Sequence, residues 1–215
     1  KRAMVQIAPG IDTNFFKPVD AKDLRIELGV NDKEVIVSVG RLVPRKGQDE
    51  LIKALPEILK SRPNAHLLFV GSGPYKKDLD KLIAERSLQK HVTFTGRVLY
   101  ENLPKYICVG DIFAMPSRSR LAGLEVEGLG IVYLEASACG LPVLGGDSGG
   151  APDAVDDGVT GLVVDGRDSK AIAEGVIKLL QSDREALGAA GRKWAVANWD
   201  WQIWATKFVE LTRAV

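Results

Sequence analysis

Three turns in this sequence hold residues whose types and spacing suit a phosphorylated ligand. The first is Gly40-Arg41-Leu42-Val43-Pro44-Arg45-Lys46-Gly47, where three cations fall within six residues between glycines. Guanidinium and ammonium groups bind phosphate oxygens through charge-assisted hydrogen bonds. Taken alone, the turn is equally compatible with a solvated basic loop, and it is not a Walker loop, because the GxxxxGK[ST] spacing is absent. The second, Gly71-Ser72-Gly73-Pro74-Tyr75, allows close backbone approach to a ligand. Lys76 stands where a GxGxxG dinucleotide fingerprint needs its third glycine, which argues against a nicotinamide dehydrogenase. A third turn, Gly96-Arg97-Val98, has no signature of its own.

The most informative stretch runs from Glu125 to Gly140, with Glu127-Gly128-Leu129-Gly130-Ile131 at its head and Glu135 beyond. Gly128 and Gly130 read as opening a helix that Gly140 closes. The free amides and positive dipole end of such a helix attract anions, and glycines let a phosphate reach the backbone. Glu135 follows Glu127 by eight residues, about 12 Å if both lie on one helix. Its neighbours Ile131, Val132, Leu134, Ala136 and Ala138 are apolar, so its carboxylate needs a partner. Sugar hydroxyls would serve as donors, and a structural ion pair is the alternative. For Glu127 the alternative is a carboxylate that only favours the helix dipole.

The elements that must position these turns are legible from apolar patterning. Strand candidates are 35–39, 66–70, 92–95, 111–115, 142–144 and 161–164, and the first two are continuously apolar, as for strands covered on both faces. Helix-like periodicity fills 48–61, 75–87, 101–109, 131–138, 169–180 and 184–197. Regular alternation of strand and helix implies an α/β fold with a doubly wound, Rossmann-like parallel sheet and right-handed crossovers. Ligands bind such sheets beyond the carboxyl ends of the strands, where these turns lie. Residues 1–20 read as an incoming linker and 21–197 as the domain. The tail, 198–215, reads as a final helix. Trp194, Trp199, Trp201 and Trp204 gather there, either to cap this core or to meet a further domain.

Composition narrows the classes. The 215 residues suit one domain. With 29 basic against 28 acidic residues, the chain has no electrostatic footprint for nucleic acid and no broad basic face for an anionic membrane. No apolar run approaches the roughly 20 residues of a membrane span, and no signal peptide is evident. The chain starts at Lys1 rather than Met, which suggests that something upstream has been removed. Cys108 and Cys139 lack CxxC or Cys/His spacing and read as buried small hydrophobes in a reducing compartment. His66 and His91, at strand starts, read as structural. The carboxylates of Asp165-Gly166-Arg167-Asp168 read as a loop, and no metal set is apparent.

Glu127-Gly-Leu-Gly-(x)4-Glu135 followed by Ala-x-Ala-Cys-Gly-Leu-Pro-Val resembles the E-x7-E signature of the family 4 (group 1) retaining glycosyltransferases. Val39-Gly40-Arg41-Leu42-x-x-x-Lys46-Gly47, Val70-Gly71-x-Gly73-Pro74, Val92-x-Phe94-x-Gly96 and Asp157-Gly158-x-x-Gly161-Leu162 are similar to that family's other blocks, in order. Pro9-Gly10-Ile11-Asp12-Thr13-x-x-Phe16-x-Pro18 resembles the start of its C-terminal domain. Ser117-Arg118-x-Arg120 to Gly130, with Gly146 to Val155, resembles the GDP-mannose-dependent phosphatidylinositol-monomannoside mannosyltransferases.

The resemblance implies the C-terminal, donor-binding half of a two-domain GT-B fold. In that reading Gly40, Arg41 and Lys46 meet the donor diphosphate, with help from the amides of Gly128, Leu129, Gly130 and Ile131. Glu127 reaches the sugar, Glu135 takes the ribose hydroxyls, and Gly96, Arg97 and Val98 lie beside the base; Arg41, Lys46 and Glu127 are the catalytic set. The implied reaction passes mannose from GDP-mannose to a phosphatidylinositol mannoside acceptor, retaining configuration, with no cofactor and no required metal. A UDP-sugar donor is the alternative. The glycolipid acceptor and any membrane surface would meet an absent N-terminal domain, and the enzyme would be cytoplasmic, peripheral at the inner face of the membrane. Rival readings are an epimerase or phosphorylase on the same architecture, which the complete E-x7-E block disfavours, and a binding module without turnover.

Overall fold

The computed structural model describes residues 4–213. In chain order the strands are β1 (Glu34–Val39), β2 (Ala65–Val70), β3 (Val92–Gly96), β4 (Ile112–Met115), β5 (Val143–Gly146) and β6 (Gly161–Val164). The helices are α1 (Lys22–Glu27), α2 (Gln48–Ser61), α3 (Lys76–Glu85), α4 (Leu103–Ile107), α5 (Ile131–Ala138), α6 (Ser169–Gln181), α7 (Arg184–Trp199) and α8 (Trp201–Arg213). All strands pair in parallel in the order β3-β2-β1-β4-β5-β6. This is the Rossmann order, in which the winding reverses between β1 and β4.

Alternate strand residues feed two cores. Val35, Val37, Phe113 and Val143 pack under α1, α4 and α5, while Ile36, Leu67, Ile112 and Leu144 pack under α2, α3 and α6. Covering on both faces explains why β1 and β2 read as unbroken apolar runs. The six strands and six of the helices fall where periodicity puts them, with ends shifted by a few residues. The 101–109 helix is shorter, being a 3₁₀ turn followed by α4, with Pro104 in its first turn.

Three features differ from the sequence reading. α1 has no amphipathic signal, because it is six residues long and buries only Leu24. From Ile11 on, the segment read as a linker is built into the domain. Ile11 and Phe16 are buried, and Ile11 bridges Asp200 through its N–H to the Trp199 carbonyl (2.8 Å) and its carbonyl to the Trp201 N–H (2.9 Å). That bridge falls at the break between α7 and α8, where the rings of Trp194, Trp199 and Trp204 follow one another at 5.9 and 5.8 Å. α8 buries none of its residues; Trp201, Ile203, Phe208 and Val209 stay exposed. Of the two free cysteines, both read as buried, Cys139 is buried but Cys108, at the C-cap of α4, is only half-buried.

α5 owes its position to a glycine contact. A Cβ on Gly188 of α7 would stand 1.9 Å from the Gly140 carbonyl oxygen at the end of α5. Alanine in mid-helix normally gains about 1 kcal/mol over glycine. Here the backbone carbonyl cannot yield, and overpacking of this kind costs about 1–3 kcal/mol or more. We expect Gly188→Ala to destabilise the domain by about 2 kcal/mol net, lowering Tm by roughly 4–8 °C. A thermal melt showing the usual alanine gain would mean that α5 and α7 are not so tightly joined.

Candidate functional site

At the carboxyl end of the sheet, where the winding reverses, a crevice of about 510 Å³ is lined by Pro9, Val39, Gly40, Lys46, Glu127, Leu129, Gly130, Ile131, Val132 and Glu135. Beside it is a shallower hollow of about 410 Å³ between Gly40, Arg41, Gly71 to Pro74 and Arg97. Gly40 lines both, so the expected residues gather along one edge in two compartments. Lys46 and both glutamates share the first, and Arg41 and Arg97 share the second. Gly128, exposed, flanks the crevice, and Val98 turns inward to pack against the core.

The turn after β1 is fixed backbone atom by backbone atom. Pro44–Lys46 forms one 3₁₀ turn that ends at Gly47 in the left-handed region, φ +75°. A Cβ there would stand 2.0 Å from the Pro116 carbonyl oxygen. The turn after β4 holds the other side, with the Arg118 N–H donating to the Arg45 carbonyl at 2.9 Å. The Arg118 guanidinium pairs with Asp49 (2.8 Å) and Glu50 (3.6 Å) in the first turn of α2, all three largely buried. Lys46, only 9% exposed, is thereby delivered into the crevice. The glycines of Gly71-Ser72-Gly73 serve the neighbouring turn. Cβ atoms on Gly71 and Gly73 would lie 2.1 and 2.2 Å from the carbonyl oxygens of Gly40 and Leu42.

Glu127 is not helical, so the expected two-turn helical spacing to Glu135 does not hold. α5 starts at Ile131, and Gly130 caps it in the left-handed region at φ +75°. A side chain on Gly130 would strike the Tyr133 ring at 2.3 Å. Tyr133 is wholly buried, and its hydroxyl donates to the Met115 carbonyl (2.6 Å) and meets Ser117 Oγ (2.9 Å), tying α5 to the end of β4. Burial raises that phenol above its ordinary range, which keeps it neutral. The loop after β5 cradles Glu127: its N–H donates to buried Ser148 Oγ (3.0 Å), and the Gly150 N–H donates to its carbonyl (3.1 Å).

The two carboxylates differ sharply in environment. Glu127, 6% exposed, has Lys46 Nζ at 2.7 Å and Arg45 Nη1 at 2.9 Å, both on Oε2. Glu135 is half-buried, points into the crevice, and has no side-chain hydrogen bond or ion pair among the described residues. Burial alone raises its pKa to about 7. The structural ion pair weighed for Glu135 is therefore absent, and its carboxyl is available to a ligand.

Sequence reasoning missed Arg45 as a partner of Glu127, Arg118 as the brace of the turn, and Ser148 as the support of Glu127. For Arg45 the signal was present in the cation run, and for Ser148 in the glycine pair that follows it. His66 and His91 lie at the opposite end of the sheet, bonded to Thr93 Oγ1 (2.9 Å) and the Ala65 carbonyl (3.1 Å). Burial lowers the His66 pKa to about 4. Asp168 caps α6 and Asp165 accepts the Arg167 N–H. Among the described residues no three His, Cys, Asp or Glu side chains converge as a metal set.

The sequence profile of "Glycosyl transferases group 1" matches residues 20–194. This chain belongs to the group 1 glycosyl transferases. A family relative, the GDP-mannose-dependent alpha-(1-6)-phosphatidylinositol monomannoside mannosyltransferase of Mycolicibacterium smegmatis, is 49% identical over 213 residues, covering 97% of this chain and 56% of that protein. The chain thus spans about half the length of the curated relatives it matches. Among solved structures, Anabaena Alr3699/HepE in complex with UDP and glucose superposes with a TM-score of 0.87 at 27% identity, covering 97% of this chain and 56% of that one. The C-terminal domain of a group 1 glycosyl transferase (LpcC) from Francisella tularensis shares the fold, with a TM-score of 0.74 at 23% identity, over 89% of this chain and 99% of that one. The six-stranded group 1 domain is thus the Rossmann-like half of a GT-B fold.

The isolated Glu135 gives a signed stability prediction. The folded chain keeps this proton from the ordinary carboxyl pKa of 4.5 up to about 7, where the unfolded chain has lost it. The group therefore costs stability progressively as pH rises through that window. Glu135→Gln removes the cost, so the variant should be more stable than wild type at pH 8 by about 1–3 kcal/mol, with the difference vanishing near pH 4.5. His66 titrates with the opposite sign over an overlapping range, so the comparison is made between variant and wild type at each pH. Denaturant curves that coincide at pH 8 would show Glu135 to be solvated.

Proposed function

We propose that this chain is the donor-binding half of a retaining glycosyltransferase that moves mannose from GDP-mannose to a phosphatidylinositol mannoside acceptor. The observation that carries the reading is a single crevice joining a buried Lys46–Glu127 pair to the unpartnered Glu135. A half-desolvated carboxyl without a protein donor is stabilised by ligand hydroxyls. The adjacent hydroxyls of a ribose fit it, while the cation and the helix start at Gly130–Ile131 suit a diphosphate. The relatives named for GDP-mannose and phosphatidylinositol monomannoside support the donor and acceptor classes.

Charge grows on the departing nucleoside diphosphate as the glycosidic bond breaks. Lys46, the amides from Gly128 to Ile131, and Arg41 from the adjoining hollow stabilise it where it develops. Glu127 accepts a sugar hydroxyl, and the turn Gly96–Val98 borders the base. The reaction so read needs no cofactor and no metal, since the protein's own cations and amides supply the positive charge. The acceptor glycolipid binds an N-terminal domain outside this sequence, and the exposed apolar residues of α8 support a final helix that crosses to it. The full enzyme then acts in the cytoplasm at the inner membrane face, touching the membrane through that other domain. No helix among the described residues is long and apolar enough to span a bilayer.

Isothermal titration of this chain with GDP, UDP and ADP tests the donor. We expect binding of GDP and GDP-mannose and no mannosyl transfer, because transfer needs an acceptor hydroxyl within about 3–3.5 Å of the anomeric carbon. Absence of heat with all three nucleotides removes the donor site, and preference for UDP moves the reading to a UDP-sugar transferase, as the Anabaena complex with UDP illustrates. In the full-length enzyme, Lys46→Ala or Arg41→Ala should lower turnover by roughly 10²–10³. The exposed Arg41 should do so with its melting temperature unchanged, and wild-type kinetics from both variants would refute the diphosphate role.

A further inference from the structure

Glu127 has two cations on one oxygen, and only one of them faces the crevice. Lys46 lines the crevice, whereas Arg45, which also bonds Glu127 Oε2, does not. Oε1 has no hydrogen-bond partner among the described residues. A diphosphate entering the crevice offers Lys46 at least two negative charges in place of one, and Coulomb attraction draws the flexible ammonium toward it. A nearly buried carboxylate that lost its only counter-ion would be costly to keep charged and free to turn.

Arg45 is built to stay. Its backbone is held by Pro44 and Gly47 on either side and by the Arg118 N–H on its carbonyl. Its guanidinium lies between Glu127 and Glu125, with Nε 3.9 Å from Glu125 Oε1. Glu125 in turn accepts from Arg120 Nη1 at 2.8 Å. Arg120 and Glu125 also exchange two backbone hydrogen bonds that close the 120–125 turn. The result is a row of alternating charge, Lys46, Glu127, Arg45, Glu125, Arg120, running outward from the crevice floor.

We infer that Arg45 is a positioning residue for the sugar: it pins Glu127 Oε2 after Lys46 turns to the diphosphate, so that Oε1 faces the hexose hydroxyls. The inference rests on reading the crevice as a nucleotide-sugar donor site. It adds a division of labour between adjacent cations, Lys46 for phosphate and Arg45 for the carboxylate that meets the sugar. The sugar-dependent part of donor affinity then depends on Arg45, while affinity for the bare nucleotide does not.

The test is calorimetry on this chain with two probes, GDP and GDP-mannose. Arg45→Met should weaken GDP-mannose at least tenfold and change GDP by less than threefold. Arg45→Lys should recover much of the loss, and Glu125→Gln, which removes the charge behind Arg45, should show a smaller loss of the same selectivity. Equal weakening of both probes overturns the inference, because it marks Arg45 as a phosphate ligand or a merely structural brace. Unchanged affinity for both overturns it as well. If thermal melts show Arg45→Met unfolded, Glu125→Gln decides by the same selectivity. A wild-type chain that binds neither probe brings down the donor-site reading and this inference with it, whereas GDP binding with an unselective Arg45→Met leaves the donor site standing.

Discussion

The arrangement depends on one dipeptide, Pro116-Ser117, where β4 ends. Alpha carbons from three neighbouring segments lie against its carbonyls. Cβ atoms would fall 2.0 Å from the Pro116 oxygen at Gly47, 1.9 Å from the Ser117 oxygen at Gly146, and 2.4 Å from the Ser117 oxygen at Gly166. The turn after β1, the end of β5 and the turn after β6 therefore converge on a shared backbone surface that admits no side chains. Ser117 Oγ also meets the Tyr133 hydroxyl, which brings in α5. The segments that frame the crevice on this side are thereby registered to the same few atoms, and small displacements at one would be felt at the others.

On this rigid frame the electrostatics are uneven. Glu127 is charge-balanced within the protein by Lys46 and Arg45, at the cost of their desolvation, while Glu135 is desolvated with no partner among the described residues. Local strain of this kind is found where a ligand completes the structure. The free domain is the less stable for it, and a donor that supplied hydroxyls to Glu135 and phosphates to Lys46 would relieve both. Stability and binding are thus opposed at the same residues.

Much of this was legible in the sequence. The two-faced burial of β1 and β2 shows as apolar runs, and the parallel alternation follows from where helical periodicity interrupts them. The gathering of Lys46, Glu127, Gly130 and Glu135 followed from the rule that ligands sit beyond strand ends. What was not legible depended on distance in space rather than pattern in sequence. α1 is too short to show a period, and the embedding of Ile11 to Phe16 rests on a pairing with residues near 200. The partnership of Arg45 with Glu127 crosses 82 positions. The second compartment holding Arg41 arises because Gly40 and Gly71 touch, a contact that two separate glycine motifs do not announce.

The crowding of all four tryptophans at the α7–α8 junction has an optical consequence. None of them lines the crevice, so the intrinsic fluorescence of this chain reports on its tail and is nearly blind to a nucleotide. Trp194, Trp199 and Trp204 are near enough to exchange excitation, while half-exposed Trp201 emits at longer wavelength from water. A blue shift of that emission would signal that α8 had found a cover. The chain thus contains a native spectroscopic gauge of docking at the end of the molecule that its own core leaves open.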